Sequence, residues 1–157
     1  MYLPLIQLWA VLTIREARQM AGLTQAELAR RAGTSRSALT AIESGSRTPS
    51  AGLRRRLVEA TGVRPSVIVA ARRPQLLDVL ERYGVRQPRL AGSAARGTDR
   101  PGSDLDLVVH LPDHFGGLRL AALGDELEAV LGIPVDIVSD RSTGPTAEAI
   151  VASAVPA

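Results

Sequence analysis

The chain has 157 residues, enough for one mid-sized domain or two small ones, and it contains no cysteine, which excludes disulfides and thiolate metal sites. With only two histidines, it is also poorly equipped to be a zinc enzyme. Every basic side chain is arginine, and the formal charge of +3 conceals two unlike halves: residues 1–73 carry twelve arginines against four acids, whereas residues 74–157 carry seven against twelve. A basic first half points to nucleic acid, and an acidic second half to metal chemistry or a basic protein partner.

Residues 1–12 are apolar but interrupted by Pro4, and no basic residue precedes Arg15. The stretch is too short to span a bilayer and lacks the charged start and small-residue cleavage site of a signal peptide. It is read as an N-terminal arm of a cytoplasmic protein without a membrane association. From Thr13 the pattern is helical. Ile14, Ala17 and Met20 share a face, Gly22 ends that helix, and Thr24 caps a second helix that reaches Ala32. Gly33 makes a sharp turn, and Ser35 caps a third helix with Ala38, Leu39 and Ile42 inward and Arg36, Ser37, Thr40 and Ala41 outward. Pro49-Ser50 opens a fourth helix with Leu53, Leu57 and Val58 inward and Arg54, Arg55 and Arg56 on or near its exposed side. Two short helices joined through a glycine turn match a helix-turn-helix, the alternative being the solvated faces of an ordinary four-helix module.

The run from Leu23 to Ser50, LTQAELARRAGTSRSALTAIESGSRTPS, resembles the phage-repressor (Xre) type of helix-turn-helix over about fifty residues. That resemblance implies that the helix after Ser35 is the recognition helix. Arg36, Ser37 and Thr40 would then lie nearest the base edges, with Gln25 at the start of the preceding helix. Arg36 has the fork that reads guanine, while Ser37, Thr40 and Arg47 suit backbone contacts. A homodimer on a two-fold symmetric promoter site is expected.

Ser66 is expected to cap a last short helix over residues 67–71, and the change in charge balance at Arg72-Arg73-Pro74 suggests a domain boundary. The helix-turn-helix domain is thus assigned to residues 13–71 and a second domain to 72–157. Residues 75–83 read as an amphipathic helix ended by Gly84. Arg89-Leu90-Ala91 then leads as a strand into Gly92-Ser93 and the first turn of another helix, an arrangement that aims backbone N–H groups at an anion. Ten residues on come Asp104 and Asp106. Leu105, Leu107 and Val109 alternate with them at strand period, so both carboxylates project from one face while the apolar side chains enter the core. Mg²⁺ takes hard oxygen ligands and keeps only one or two protein carboxylates, leaving positions for water and phosphate. Residues 118–131 read as a helix with Leu120, Leu123, Leu127 and Leu131 toward a sheet and Asp125, Glu126 and Glu128 away from it. Asp136 follows among β-branched residues in a strand over 135–138. Residues 147–151 read as a short helix before an apolar end.

Gly92-Ser93, ten residues, Asp104-x-Asp106 and a later strand carboxylate together resemble the signature of the nucleotidyltransferase superfamily related to DNA polymerase beta. The match is best to its small branch, the minimal nucleotidyltransferases of toxin–antitoxin pairs, and covers residues 74–156. Thr98 stands where relatives often have an acid. The resemblance implies two domains, an all-α helix-turn-helix domain followed by an α/β nucleotidyltransferase domain. It also implies an antitoxin of a type VII-like pair that transfers AMP from ATP to a tyrosine of a HEPN-class toxin. Asp104, Asp106 and Asp136 would be the catalytic residues and the ligands of two Mg²⁺ ions, with Asp136 helping to deprotonate the acceptor hydroxyl. Gly92, Ser93 and Arg96 would bind nucleotide, Arg96 being equally readable as a structural residue. His110 continues the carboxylate face but reads as a solvated strand end, and Asp99, Asp113 and Asp140 read as turn residues. Two other functions remain open: a repressor or antitoxin that acts by binding alone with an inactive transferase domain, and a small-molecule (antibiotic) nucleotidyltransferase.

Overall fold

A computed structural model describes residues 12–157, so the arm expected over residues 1–12 lies outside it except for its last residue. Five helices come first: α1 (Ile14–Met20), α2 (Gln25–Arg31), α3 (Arg36–Glu43), α4 (Ala51–Thr61) and α5 (Pro65–Arg82). Then follow β1 (Arg86–Leu90), α6 (Gly92–Ala95), β2 (Leu105–His110), α7 (Gly117–Leu131), β3 (Val135–Ser139), α8 (Pro145–Ser153) and β4 (Val155–Pro156). The all-α module followed by an α/β domain is therefore present.

Side chains start the first helices where the sequence indicates. Thr13 and Thr24 each accept the backbone N–H three residues on, and Glu16 and Glu27 reach back to the capping residues, so both helices open with reciprocal capping boxes. Ser35 and Ser50 cap α3 and α4 in the simpler way. Ile14, Ala17, Leu28, Ala29, Leu39, Ile42, Leu57 and Val58 form the buried faces. Met20 does not join them: at the last turn of α1 it is partly exposed. Arg54 also departs from expectation, being half-buried with Nη2 donating to the Leu12 carbonyl at 2.7 Å.

α5 is one continuous helix across the positions where two helices with a break between them were expected, and it contains Pro74. Its buried residues, among them Ile68, Val69, Arg72, Leu76, Val79 and Leu80, run from the helix-turn-helix module into the α/β domain. Ser66 lies within the first turn of this helix and caps nothing.

The sheet has the order β3-β2-β1-β4. β2 and β3 are parallel, while β1 runs antiparallel to both of its neighbours. β4, two residues long, was not anticipated. Leu105, Leu107 and Val109 are fully buried, as the alternation requires, and α7 lies over their face, since a Cβ on Gly124 would sit 3.9 Å from Ile137 Cδ1. Glu126 is a correction: it is 5% exposed, because it falls three residues after Leu123 and four before Val130, on the buried stripe of α7. Arg82 Nη2 lies 2.6 Å from its Oε1 and neutralises it.

Candidate functional site

The carboxylates meet on the sheet face opposite α7. In the parallel pairing of β2 with β3, Asp106 stands directly beside Asp136. Laterally paired residues of neighbouring strands project to the same side, with backbones about 5 Å apart. Asp104 lies two residues before Asp106, just ahead of the strand, and shares that side. Burial pushes the Asp106 carboxyl above its ordinary range, the charges of Asp136 and then Asp104 push the same way, and Arg96 opposes them.

The turn before these acids is built against them. Ala91 is buried and its N–H donates to the Asp106 carbonyl at 2.9 Å, so the chain leaving β1 is fixed beside β2. Gly92 has φ +59, and a Cβ there would lie 2.0 Å from Asp106 Oδ2. Only glycine meets both conditions. Ser93 follows in the first turn of α6, its carbonyl accepting the Thr98 N–H at 2.9 Å, and Arg96 is the exposed C-cap. Gly92, Ser93, Arg96, Asp104, Asp106 and Asp136 are thus brought together.

Whether these residues suit a divalent cation can be judged from the donor set. To burial, Asp136 and Asp104 add negative charge at Asp106, against which only Arg96 acts, and the Asp106 carboxyl is thereby pushed above its ordinary range. An added cation would relieve both effects. Among the described residues no three Asp, Glu, His or Cys side chains converge tightly enough to cage an ion unaided. Hard carboxylate oxygens with positions left for water and phosphate are the donor set that Mg²⁺ takes.

His110 and Asp140 extend the same strands, and Asp140 Oδ2 lies 3.0 Å from His110 Nδ1. His110 is therefore partnered rather than simply solvated. Asp113 pairs with Arg141 at 2.7 Å. Asp99 is the residue that sequence reasoning passed over: it is 3% exposed and accepts hydrogen bonds from Ser66, 33 residues earlier.

A second surface belongs to α2 and α3. Arg36, Ser37, Thr40 and Arg47 are exposed on the third helix and the turn after it. Gln25, at the start of α2, is half-buried: its Nε2 donates to Glu43 at 2.9 Å and its Oε1 accepts from Thr40 at 3.3 Å. Glu43 is the anchor of this module. Arg18 grips it with two nitrogens at 2.7 and 2.9 Å, and Arg15 Nε lies 3.8 Å away. Burial works to raise the Glu43 carboxyl, but the hydrogen bonds of Arg18 and Gln25 and the charges of Arg18 and Arg15 outweigh it and hold the group below its usual range. α3 is thereby fixed to α1 and α2 through a charge-assisted network.

Residues 14–68 match the helix-turn-helix family, and residues 73–155 match the nucleotidyltransferase domain family. The chain is 37% identical over 65 residues to protein adenylyltransferase MntA of Thermococcus cleftensis, a match covering 41% of this chain and 66% of that protein. It is 34% identical over 71 residues to a protein of Methanocaldococcus jannaschii that also bears the name protein adenylyltransferase, covering 45% of this chain and 76% of the relative. A solved structure described as a minimal nucleotidyltransferase superposes with a TM-score of 0.52 at 39% identity, covering 59% of this chain and 95% of the other. No helix among the described residues is long and apolar enough to cross a membrane.

Proposed function

The chain belongs to the nucleotidyltransferase family, and on that premise we propose that it is a cytoplasmic antitoxin that transfers AMP from ATP to a tyrosine of a HEPN-class toxin and binds its own promoter. The observation that carries the reading is the register of Asp106 beside Asp136, with Gly92 pressed against the Asp106 carboxylate. In this reading residues 13–71 bind DNA and residues 72–157 perform the transfer.

Asp104, Asp106 and Asp136 would hold two Mg²⁺ ions. When bound, these supply neutralisation of the triphosphate and a lowered pKa for the attacking hydroxyl. The backbone N–H groups of the Gly92-Ser93 turn would face the phosphates, and Arg96, near enough to oppose the rise in the Asp106 pKa, would meet their charge. Asp136 stands on the neighbouring strand, where it accepts the proton of the acceptor hydroxyl. The transfer domain is small, so the acceptor is positioned by docking its own surface, which favours a folded protein over a free metabolite. On the other module, Arg36, Ser37, Thr40 and Arg47 are exposed to meet DNA as a homodimer. Gln25 acts there by bracing Thr40 as well as by facing the duplex.

The test is incubation of the chain with ATP, Mg²⁺ and a small helical protein of the HEPN class. The partner's mass should rise by one AMP residue per transfer. Asp136→Asn should lose the transfer yet keep much of the nucleotide binding. If neither protein alters the partner's mass while both still suppress its toxicity, the antitoxin acts by binding alone.

A further inference from the structure

The connection between the two halves of the nucleotide signature, residues 96–104, rests on the helix-turn-helix module. Three contacts hold it. Asp99 Oδ2 accepts the backbone N–H of Ser66 at 2.8 Å and Oδ1 accepts its hydroxyl at 3.1 Å. The N-cap residue of α5, Arg64, makes no side-chain cap, so Asp99 performs that task from a distant part of the chain. Arg64 itself donates to the Gly97 carbonyl at 3.5 Å and lies 3.8 Å from Asp99 Oδ1. Gly102, with φ +84, lies so close to α4 that a Cβ would sit 3.1 Å from Glu59 Cγ.

At its other end the same connection is tied to the nucleotide turn, because the Thr98 N–H donates to the Ser93 carbonyl. A short path therefore runs from Ser93 through Thr98 and Asp99 to Ser66. Beyond Ser66, Ile68 of α5 shares a core with Leu57 and Val58 of α4 and with Leu28 and Leu39 of α2 and α3. A free-standing transferase domain has no α4 or α5 N-terminus to offer such contacts.

We propose that Asp99 is a positioning residue that sets the nucleotide loop by clasping Ser66 and thereby links nucleotide binding to DNA binding. The inference rests on the nucleotide and DNA readings given above. A nucleotide that orders residues 92–104 holds the clasp closed and stiffens the first turn of α5. The DNA-binding module then loses less freedom when it meets DNA, so the two ligands favour one another. The linkage is reciprocal, and each ligand tightens the other by the same factor.

The full chain is titrated with labelled duplex DNA from upstream of its own reading frame, with and without saturating Mg²⁺ and a non-hydrolysable ATP analogue. The analogue should tighten DNA binding by about fivefold or more, and calorimetry should give the same factor for the duplex acting on the analogue. Asp99→Ala, which removes both acceptors of the Ser66 donors, should weaken analogue binding several-fold and bring the linkage factor to one. Ser66→Ala and Arg64→Ala, milder changes that leave the fold intact, should bring it part of the way. Wild-type chain that binds both ligands with a factor within twofold of one overturns the linkage and leaves the functional reading standing, as does an unchanged factor in Asp99→Ala. A chain that binds neither ligand overturns the functional reading and this inference with it.

Discussion

At the scale of single residues, Asp106 is where function and stability pull apart. Burial first, then Asp136 and Asp104, raise its folded pKa above the unfolded value of about 3.9. The folded state therefore holds its proton more tightly than the unfolded one. The stability from this preference is fully present below about pH 3.9 and is lost as the pH rises through the raised folded value. Asp106→Asn removes that loss. The ligand-free melting temperature at pH 7 should rise, by no more than about 2–4 °C once solvent screening is allowed for, and the gap from wild type should narrow toward about pH 4. Calorimetry at the two pH values checks this, and a lower melting temperature for the variant at pH 7 contradicts it. The three carboxylates were legible because strand period and spacing are local signals. Asp99 was not, because an aspartate among Gly, Arg and Pro reads as a turn, and its partner lies 33 residues back. Glu126 failed for a related reason: charge spoke for solvent, and only the position of Arg82 in the fold neutralises it.

At the scale of elements, α5 shows a tertiary contact overruling a local rule. A proline inside a helix removes a backbone hydrogen bond and crowds the preceding turn, which costs about 3 kcal/mol. The boundary that the charge balance suggests at Arg72-Arg73-Pro74 agrees with that cost. The helix continues because Val69, Arg72, Leu76, Val79 and Leu80 bury one face on both sides of the proline, while Pro74 itself is exposed. Arg72 lies on that buried face with Glu16 3.0 Å from its Nη2. Pro74→Ala restores the missing N–H at a solvent-facing position and should stabilise the chain by about 1–3 kcal/mol. Urea unfolding would show a higher midpoint at an unchanged slope, and an equal or lower midpoint would mean that the proline has a role the contacts do not reveal. The helix caps at Thr24 and Ser35 were legible for the opposite reason, since such a signal lies within four residues of the helix start. β4 gave no such signal: two residues carry no alternation, and pairing with β1 alone makes them a strand.

At the scale of the whole molecule, the two modules share one core. Buried residues from Ile14 to Val135 form a single cluster, and Leu12 stands within it between α4 and α7. Leu12 is 1% exposed, its N–H donates to the Ala129 carbonyl at 3.3 Å, and its carbonyl accepts from Arg54. Its side chain lies against Gly132, where φ is +70 and a Cβ would approach Leu12 Cδ2 to 2.8 Å. One residue thus bonds to a helix of each module and fills the gap between them. Together with Arg72 and Glu16, and with α5 itself, it should make unfolding a single event despite two domains of different ancestry. Wild-type calorimetry should give one transition whose van't Hoff and calorimetric enthalpies agree. Leu12→Ala leaves a cavity at the seam and should cost about 2–5 kcal/mol. Since the lost contacts lie between modules, the cost falls on their coupling, and the single transition should broaden or split. A variant that melts earlier but in one transition of undiminished sharpness would place the cooperativity in α5 alone. Two transitions already present in wild type would mean that the shared core does not join the modules, and residues 96–104 could then reach α3 only through their contacts with Ser66, Arg64 and Glu59.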